Sequence, residues 1–156
     1  MPAGGNLGGM DPKVVDYLAG HHAAAMITLR PDGSPHAVRC GIALVDGKLW
    51  SSGTRTRRRT DHLRRDPRCT LFVFGNSQQD PYSYLSLDTR VTILDGPEAA
   101  DQNVRLFTEM QAGMDRPDGV LFWNGKPLPI DEFRQTMIVE GRLIYQFEIL
   151  HSYGMF

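Results

Sequence analysis

Residues 23–52 read AAAMITLRPDGSPHAVRCGIALVDGKLWSS. Two turn signals, Pro31-Asp32-Gly33 and Asp46-Gly47, divide this stretch into three apolar runs. Asp-Gly between apolar runs is a strong hairpin signal, because both residues tolerate the positive φ angles that tight hairpin turns need. We therefore predict three consecutive antiparallel strands over residues 23–30, 35–45 and 48–52.

The rest of the chain adds further strands and a few helices. Strands are predicted over residues 68–74, 82–94 and 142–149, and the first is apolar along its length, so burial on both of its faces is expected. Helices are predicted over residues 12–20, 97–110 and 131–138. Because helices do not alternate with strands, the pattern favours a small antiparallel barrel. The prediction is a mainly β, six-stranded domain over residues 11–156, after a flexible glycine-rich tail over residues 1–10.

Composition narrows the class of protein. The chain has 156 residues, 41% of them hydrophobic, which is enough for one domain with a real core. A net charge of −1 argues against a nucleic-acid or membrane-surface binder, since such proteins normally carry a broad positive excess. Cys40 and Cys69 have no zinc-type spacing, so no metal site is expected. No signal peptide or membrane span is recognised, and a cytoplasmic location is predicted.

A dense run of arginines follows the third strand. Seven arginines lie between Arg55 and Arg68, half of all the arginines in the chain. Thr56 is a suitable N-cap, and Asp66-Pro67 ends a helix because the residue before proline disfavours the α region. The sequence thus predicts a short helix from Arg57 to Asp66.

The start of this helix suits a phosphate. Free backbone amides, the positive end of the helix dipole and guanidinium groups come together there. The alternative is a solvated helix face, a common setting for a run of charges. Against it, Leu63 is the only strongly apolar residue of the helix, so core burial alone explains its existence poorly.

Three blocks of the sequence carry a resemblance to a known family. They are Ser34-Pro35-His36, Leu49-Trp50-Ser51-Ser52 and His62-Leu63-Arg64-Arg65-Asp66-Pro67-Arg68. In this order and spacing, the chain resembles the split β-barrel flavin/deazaflavin oxidoreductases, the superfamily of pyridoxamine 5'-phosphate oxidase. Three later segments, Tyr82–Tyr84, Glu132–Met137 and Ile149–Gly154, resemble its F420-dependent branch, FDOR-B.

The resemblance implies which residues hold the cofactor. The phosphate is expected at the hydroxyl of Ser51 or Ser52, at the side chains of Arg57 and Arg59, and at the backbone amides between them. Those amides belong to Arg58 and Thr60.

The resemblance also implies a homodimer with its cofactor ring in a cleft between two barrels. The partner subunit is then expected to supply Tyr82, Ser83 and Tyr84 near the cofactor. His36 and Val38 share one face of the second strand and are expected to border the ring. No catalytic acid or base is identified.

The function implied is that of an F420-dependent oxidoreductase, which transfers a hydride between F420 and a small conjugated molecule such as an enone or quinone. Three alternatives stay open: an FMN-binding oxidase or reductase of the same fold, a cofactor-binding protein without turnover, and a nucleic-acid binder. The last would use the arginine run as its binding patch, but the run lacks interleaved aromatic residues for base stacking. The long connection over residues 113–129 is expected either to cover the cleft as a lid or to be pinned to the barrel by Phe122 and Trp123.

Overall fold

The computed structural model describes residues 10–75 and 77–156, so most of the predicted tail lies outside the described residues. Its helices are α1 (Pro12–Gly20), α2 (Arg58–Arg65), α3 (Ala99–Met110) and α4 (Ile130–Val139). Its strands are β1 (Ala23–Leu29), β2 (Pro35–Gly41), β3 (Ala43–Val45), β4 (Lys48–Thr54), β5 (Arg68–Phe74), β6 (Tyr84–Leu94), β7 (Val120–Trp123), β8 (Lys126–Pro129) and β9 (Arg142–Met155). The predicted mainly β class is confirmed. No helix in the described part of the chain has the length and apolar character to cross a membrane.

Seven strands form one antiparallel sheet in the order β2-β1-β5-β6-β9-β4-β3. The strands at its two ends, β2 and β3, are consecutive in the chain and are separated only by Ile42. The sheet therefore curls until its ends meet. The Ser51 hydroxyl donates a hydrogen bond of 2.6 Å to the Gly41 carbonyl, which joins β4 to β2 at this seam.

One predicted strand is divided into two, which explains why the main sheet has seven strands rather than the six predicted. Residues 35–45 were predicted as one strand, but the run is interrupted at Ile42, whose amide donates to the His22 carbonyl at 2.9 Å. The first half pairs with β1 and the second half with β4. The three predicted strands are thus antiparallel neighbours, with a bend in the middle one.

Within a single chain, strand β5 has one of its two faces buried. Leu71 and Val73 point into the barrel and are fully buried. Phe72 and Phe74, which alternate with them, are half-buried on the outer face, where the Phe72 ring stacks 5.2 Å from the Tyr84 ring. Because a curled sheet encloses a single interior, burial of the outer face requires a second surface, and it stays a prediction.

Two strand ends also differ from the predictions. β6 begins at Tyr84, because Pro81 and Tyr82 lie in a turn. β9 continues to Met155, well beyond the predicted end at Ile149. It pairs with β4 over Arg142–Phe147 and with β6 along nearly its whole length.

The connection over residues 113–129 is not structureless, since it contains the β7–β8 hairpin. Asn124 and Gly125 form its tight turn with φ angles of 52° and 78°. The Trp123 ring packs edge-on against Phe107 of α3 and Phe133 of α4, with ring centroids 5.4 and 5.7 Å apart. Two roles were expected for the segment: a lid over the cleft, or attachment to the barrel. For Trp123 the structure shows attachment, because its ring packs on α3 and α4.

Candidate cofactor site

An open cleft of about 470 Å³ lies beside the start of α2. Its walls come from β2, from the end of β4 and from the turn that leads into α2. The lining residues are His36, Val38, Thr54, Thr56, Arg57, Arg58 and Arg59. Five of the residues predicted to bind the cofactor, the two on β2 and the three arginines, therefore lie around one cavity.

The first turn of α2 begins one residue later than predicted. Arg57, not Thr56, is the N-cap, because the Arg57 carbonyl accepts from the amides of Thr60 (3.0 Å) and Asp61 (3.3 Å) while its own backbone is extended. No side chain among the described residues caps this helix. The amides of Arg58 and Arg59 occupy the first two helical positions, where an α-helix offers no internal acceptor. They are thus available to a ligand.

Six of the seven arginines of the run fall into two groups, and the seventh, Arg65, donates to the Leu29 carbonyl. At the sides and the far end of α2, Asp95 forms ion pairs with Arg55 (2.6 Å) and Arg64 (3.0 Å), and Asp66 pairs with Arg68 at 2.8 Å. The hydrogen bond from Arg55 lowers the pKa of Asp95. The hydrogen bond from Arg68 lowers the pKa of Asp66 to about 2. Each of these three arginines thus has a carboxylate partner within the protein, and Arg55 and Arg64 share theirs.

The second group consists of Arg57, Arg58 and Arg59. Within residues 10–75 and 77–156, no carboxylate comes within ion-pair distance of any of these three guanidinium groups. All three border the cleft. Three positive charges without an internal counter-charge give this cavity a strongly positive potential.

Arg59 is the most unusual of the three, because its side chain is only 8% exposed. Its Nη2 lies 3.4 Å from the Ser52 carbonyl, and its guanidinium carbon lies 5.6 Å from the centre of the Tyr145 ring. Its Nε is shut off from solvent and has no hydrogen-bond partner among the described residues. A buried charge with an unused donor is costly unless an anion completes its contacts.

The inner face of α2 is held to the barrel by polar contacts as well as by Leu63. Thr60 is fully buried, and its hydroxyl donates to the Thr54 carbonyl at 2.6 Å and accepts from the Tyr145 hydroxyl at 2.5 Å. Burial raises the pKa of Tyr145, so this phenol stays protonated as a donor. The expectation of little core burial for α2 was therefore wrong, since Arg59, Thr60 and His62 are buried along with Leu63. The side chain and amide of Thr60 are both used inside the protein.

The two serines predicted at the phosphate also have internal partners. The Ser51 hydroxyl makes the seam contact with Gly41, and the Ser52 hydroxyl donates to the Asn103 side chain at 2.5 Å. Neither serine lines the cleft. Their role at the cofactor stays a prediction. It requires one serine hydroxyl to give up its internal hydrogen bond for one to the phosphate.

The predicted partner-subunit residues do not approach the cleft of their own chain. Tyr82 lies in an exposed turn with 80% of its side chain accessible. The Ser83 hydroxyl contacts Tyr17 (2.8 Å) and Asp80 (3.1 Å), and Tyr84 stacks on Phe72. Their contact with a cofactor in the other subunit stays a prediction.

His36 of the cleft packs against a second histidine, His62, which was not predicted as a site residue. His36 meets the buried His62 edge to face, with ring centroids 5.0 Å apart. Nδ1 of His62 is 2.9 Å from the Thr28 hydroxyl. Burial, aided by the positive potential of His36, lowers the pKa of His62. The signal for His62 was its position three residues after Arg59, which places both on the same helix face.

The fold is similar to several solved structures of low sequence identity. The conserved hypothetical protein Rv2991 from Mycobacterium tuberculosis has a TM-score of 0.71 and 19% identity over 94% of this chain and 84% of that one. An F420 reductase gives 0.60 and 19% over 88% and 94%. HutZ, the heme storage protein from Vibrio cholerae, gives 0.64 and 9% over 93% and 94%. At such identities the likeness establishes the fold alone, and the ligands named for these proteins differ.

The match to a family model is more informative. The model for pyridoxamine 5'-phosphate oxidase matches residues 10–124, which include the whole cleft and α2. The arginine-lined cavity thus belongs to the part of the chain that is shared with the family. On this match the chain belongs to the pyridoxamine 5'-phosphate oxidase family.

Proposed function

We propose that this protein is a homodimeric, F420-dependent oxidoreductase that holds the phosphate of its cofactor at Arg57, Arg58 and Arg59. The observation that carries the proposal is the buried Arg59 side chain, whose Nε lacks a partner among the described residues while its neighbours lack counter-charges. A phosphate supplies both the missing acceptor and the missing negative charge. Arginine forks and free helix amides are a common combination for this purpose.

The residues of the cleft have different roles in the proposed binding of the cofactor. Arg59 is fixed by burial and by its contact with Tyr145, so its donors are oriented before a ligand arrives. Arg57 and Arg58 are exposed and able to close on a bound anion. Val38 provides an apolar wall on β2, and the nearby helix start provides amides.

The bound deazaflavin supplies the hydride chemistry, so the protein needs little acid or base machinery of its own. The chain itself contributes the positioning of cofactor and substrate and a fixed positive electrostatic field. The proposed acceptor is a small conjugated molecule such as an enone or a quinone.

The choice of F420 rests on the Tyr82–Tyr84, Glu132–Met137 and Ile149–Gly154 segments and on the similarity of the fold to an F420 reductase. FMN is the second candidate, and the family match favours it. The anion-binding residues serve either cofactor, because both carry a phosphate.

The proposed dimer uses the outer face of β5, β6 and β9. Cross-strand partners on this face form the rows Phe74–Tyr84–Met155 and Phe72–Ser86–Tyr153. Tyr153 and Met155 are more than half exposed, at 53% and 56%. An apolar surface of this kind is uncommon on a monomer, and a second copy of the same face covers it by twofold symmetry.

Titration of the purified protein with F420 and with FMN, followed by an acceptor screen, tests the function. We expect F420 to bind more tightly than FMN, and reduced F420 to be oxidised in the presence of an enone or quinone. Tighter binding of FMN with turnover would replace the cofactor assignment. Binding of F420 without reduction of any acceptor would leave a cofactor carrier.

Light scattering tests the assembly. We expect a particle of twice the 17.5 kDa chain mass, and its dissociation in a Phe74→Glu variant. Mixing an Arg57→Ala/Arg59→Ala variant with a Tyr82→Ala variant then tests the shared site, because heterodimers regain one intact site only if Tyr82 acts across the interface. A wild-type particle of 17.5 kDa at micromolar concentration would contradict the dimer.

A further inference from the structure

We propose that His36 is a ligand-contacting residue of the arginine cleft and that its imidazole takes up a proton when an anionic group binds there. This inference rests on the proposed anion site and adds a proton to it. The proton comes from solvent and is held on the imidazole, so no other reactant is needed.

The geometry of His36 points to a ligand. The residue lies on the inward face of β2 and lines the cleft next to the arginines. Its Nδ1 is shut off from solvent and has no hydrogen-bond partner among the described residues. A desolvated ring nitrogen without a partner costs free energy, and a ligand atom in the cleft is able to recover it.

His62 and Thr28 fix the position of this ring. Thr28 is the cross-strand partner of His36 in the β1–β2 ladder, so both side chains point to the same side of the sheet. Thr28 also holds Nδ1 of His62 at 2.9 Å, and the His62 ring then packs edge to face against His36. His62 is therefore a positioning residue, which acts on the ligand through His36.

The charges around the two rings are mostly positive. From α2 come Arg65 and Asp61, from the end of β1 comes Arg30, and the cleft adds Arg57, Arg58 and Arg59. Asp61 is the one carboxylate in this group. With the cleft empty, burial and this positive field lower the pKa of His62.

A bound anion adds negative charge beside the two histidine rings and so counters the positive field of the arginines. Negative charge between the arginines and His36 favours the imidazolium form, which is also able to donate to the anion. By linkage, a ligand that promotes protonation binds more tightly when protons are plentiful. Affinity for an anionic ligand is thus expected to rise as the pH falls from 8 to 6, by roughly three- to tenfold for one linked proton.

NMR titration of the histidine C–H signals tests the proton directly. Sulfate is the probe, because it is a dianion throughout this pH range, and chloride at equal ionic strength is the reference. We expect the titration midpoint of His36 to move to higher pH in sulfate, and the signals of His21 and His22, which lie away from the cleft, to stay unchanged. Assignments come from single histidine variants.

The outcomes separate this inference from the proposed function. If sulfate shifts the amide signals of Arg58 and Arg59 but not the His36 titration, the anion site stands and the protonation of His36 is refuted. If sulfate changes neither, the anion site and this inference both fail. With F420 as ligand, His36→Gln should remove the pH dependence of the dissociation constant. In His62→Gln, which frees the His36 ring, the dependence should weaken without disappearing.

Discussion

The two ends of helix α2 differ more in their surroundings than in their sequence. At its C-terminal end, Arg64 and Arg68 form ion pairs with Asp95 and Asp66 within the protein. At its N-terminal end, arginines of the same kind border a cavity without a carboxylate from the described residues within ion-pair distance. The density of arginine in a sequence therefore does not locate an anion site. The site lies where the arginines have no acidic side chain within ion-pair distance.

The largest expected effect concerns binding at the N-terminal end. Arg59→Ala should weaken F420 binding by about 1.5–3 kcal/mol, roughly 10- to 150-fold, because a buried charge-assisted contact is lost. Fluorescence titration measures it. Arg64→Ala is the matched control, and an equal loss of affinity in both variants would contradict the division of the helix into two ends.

The next effect concerns how the N-terminal end is attached to the barrel. Thr60→Val should lower the free energy of unfolding by about 1–3 kcal/mol, because it leaves the Tyr145 hydroxyl and the Thr54 carbonyl buried without their partner. Urea denaturation measures the change. Thr56→Val is the control, since Thr56 is exposed, and its stability should match that of the wild type within a few tenths of a kcal/mol.

A smaller effect depends on pH and comes from His62. Its pKa is lowered in the folded protein, so the unfolded chain binds a proton first as the pH falls below the ordinary value of 6.5. Stability contributed by the neutral ring is present above that pH and is lost as the pH falls through the folded-state pKa. Denaturation at pH 7.5 and 5.5 should show a smaller loss in His62→Gln than in the wild type. The exposed His151→Gln serves as control, and equal losses in all three proteins would count against this role.

The smallest effects are expected at the C-terminal end. Arg64→Ala and Arg68→Ala remove exposed ion pairs, which contribute little in water. Thermal unfolding should place both variants within error of the wild type, and F420 affinity should not change. A clear loss of binding in either variant would mean that the ligand extends along the helix.

Local signals in the sequence were reliable where local interactions decide the structure. The Asp46-Gly47 turn and the bounds of α1 were predicted correctly because turns and helix ends depend on neighbouring residues. The cluster of His36, Val38 and three arginines was placed at one site through the family resemblance, and the structure gathers them around one cleft.

Contacts between distant residues were missed. The break in the strand at Ile42 results from closure of the barrel. The hydrogen bond from Ser52 to Asn103 joins residues that are 51 positions apart in the chain. Pairing of Asp95 with two arginines of the run was equally invisible, although it determines which arginines stay available. Such partners depend on how the sheet curls, which no local pattern encodes.

The order of strands in the barrel also constrains how the chain folds as it is made. β4 appears early, but the strand beside it in the sheet is β9, and the contact between Trp50 and Gln146 spans 96 residues. Until β9 has left the ribosome, β4 and β6 each have an unpaired edge, and the barrel has no means of closing. A chain that stops before Arg142 is thus expected to be held open with its apolar interior exposed, as a substrate for chaperones rather than a smaller version of the protein.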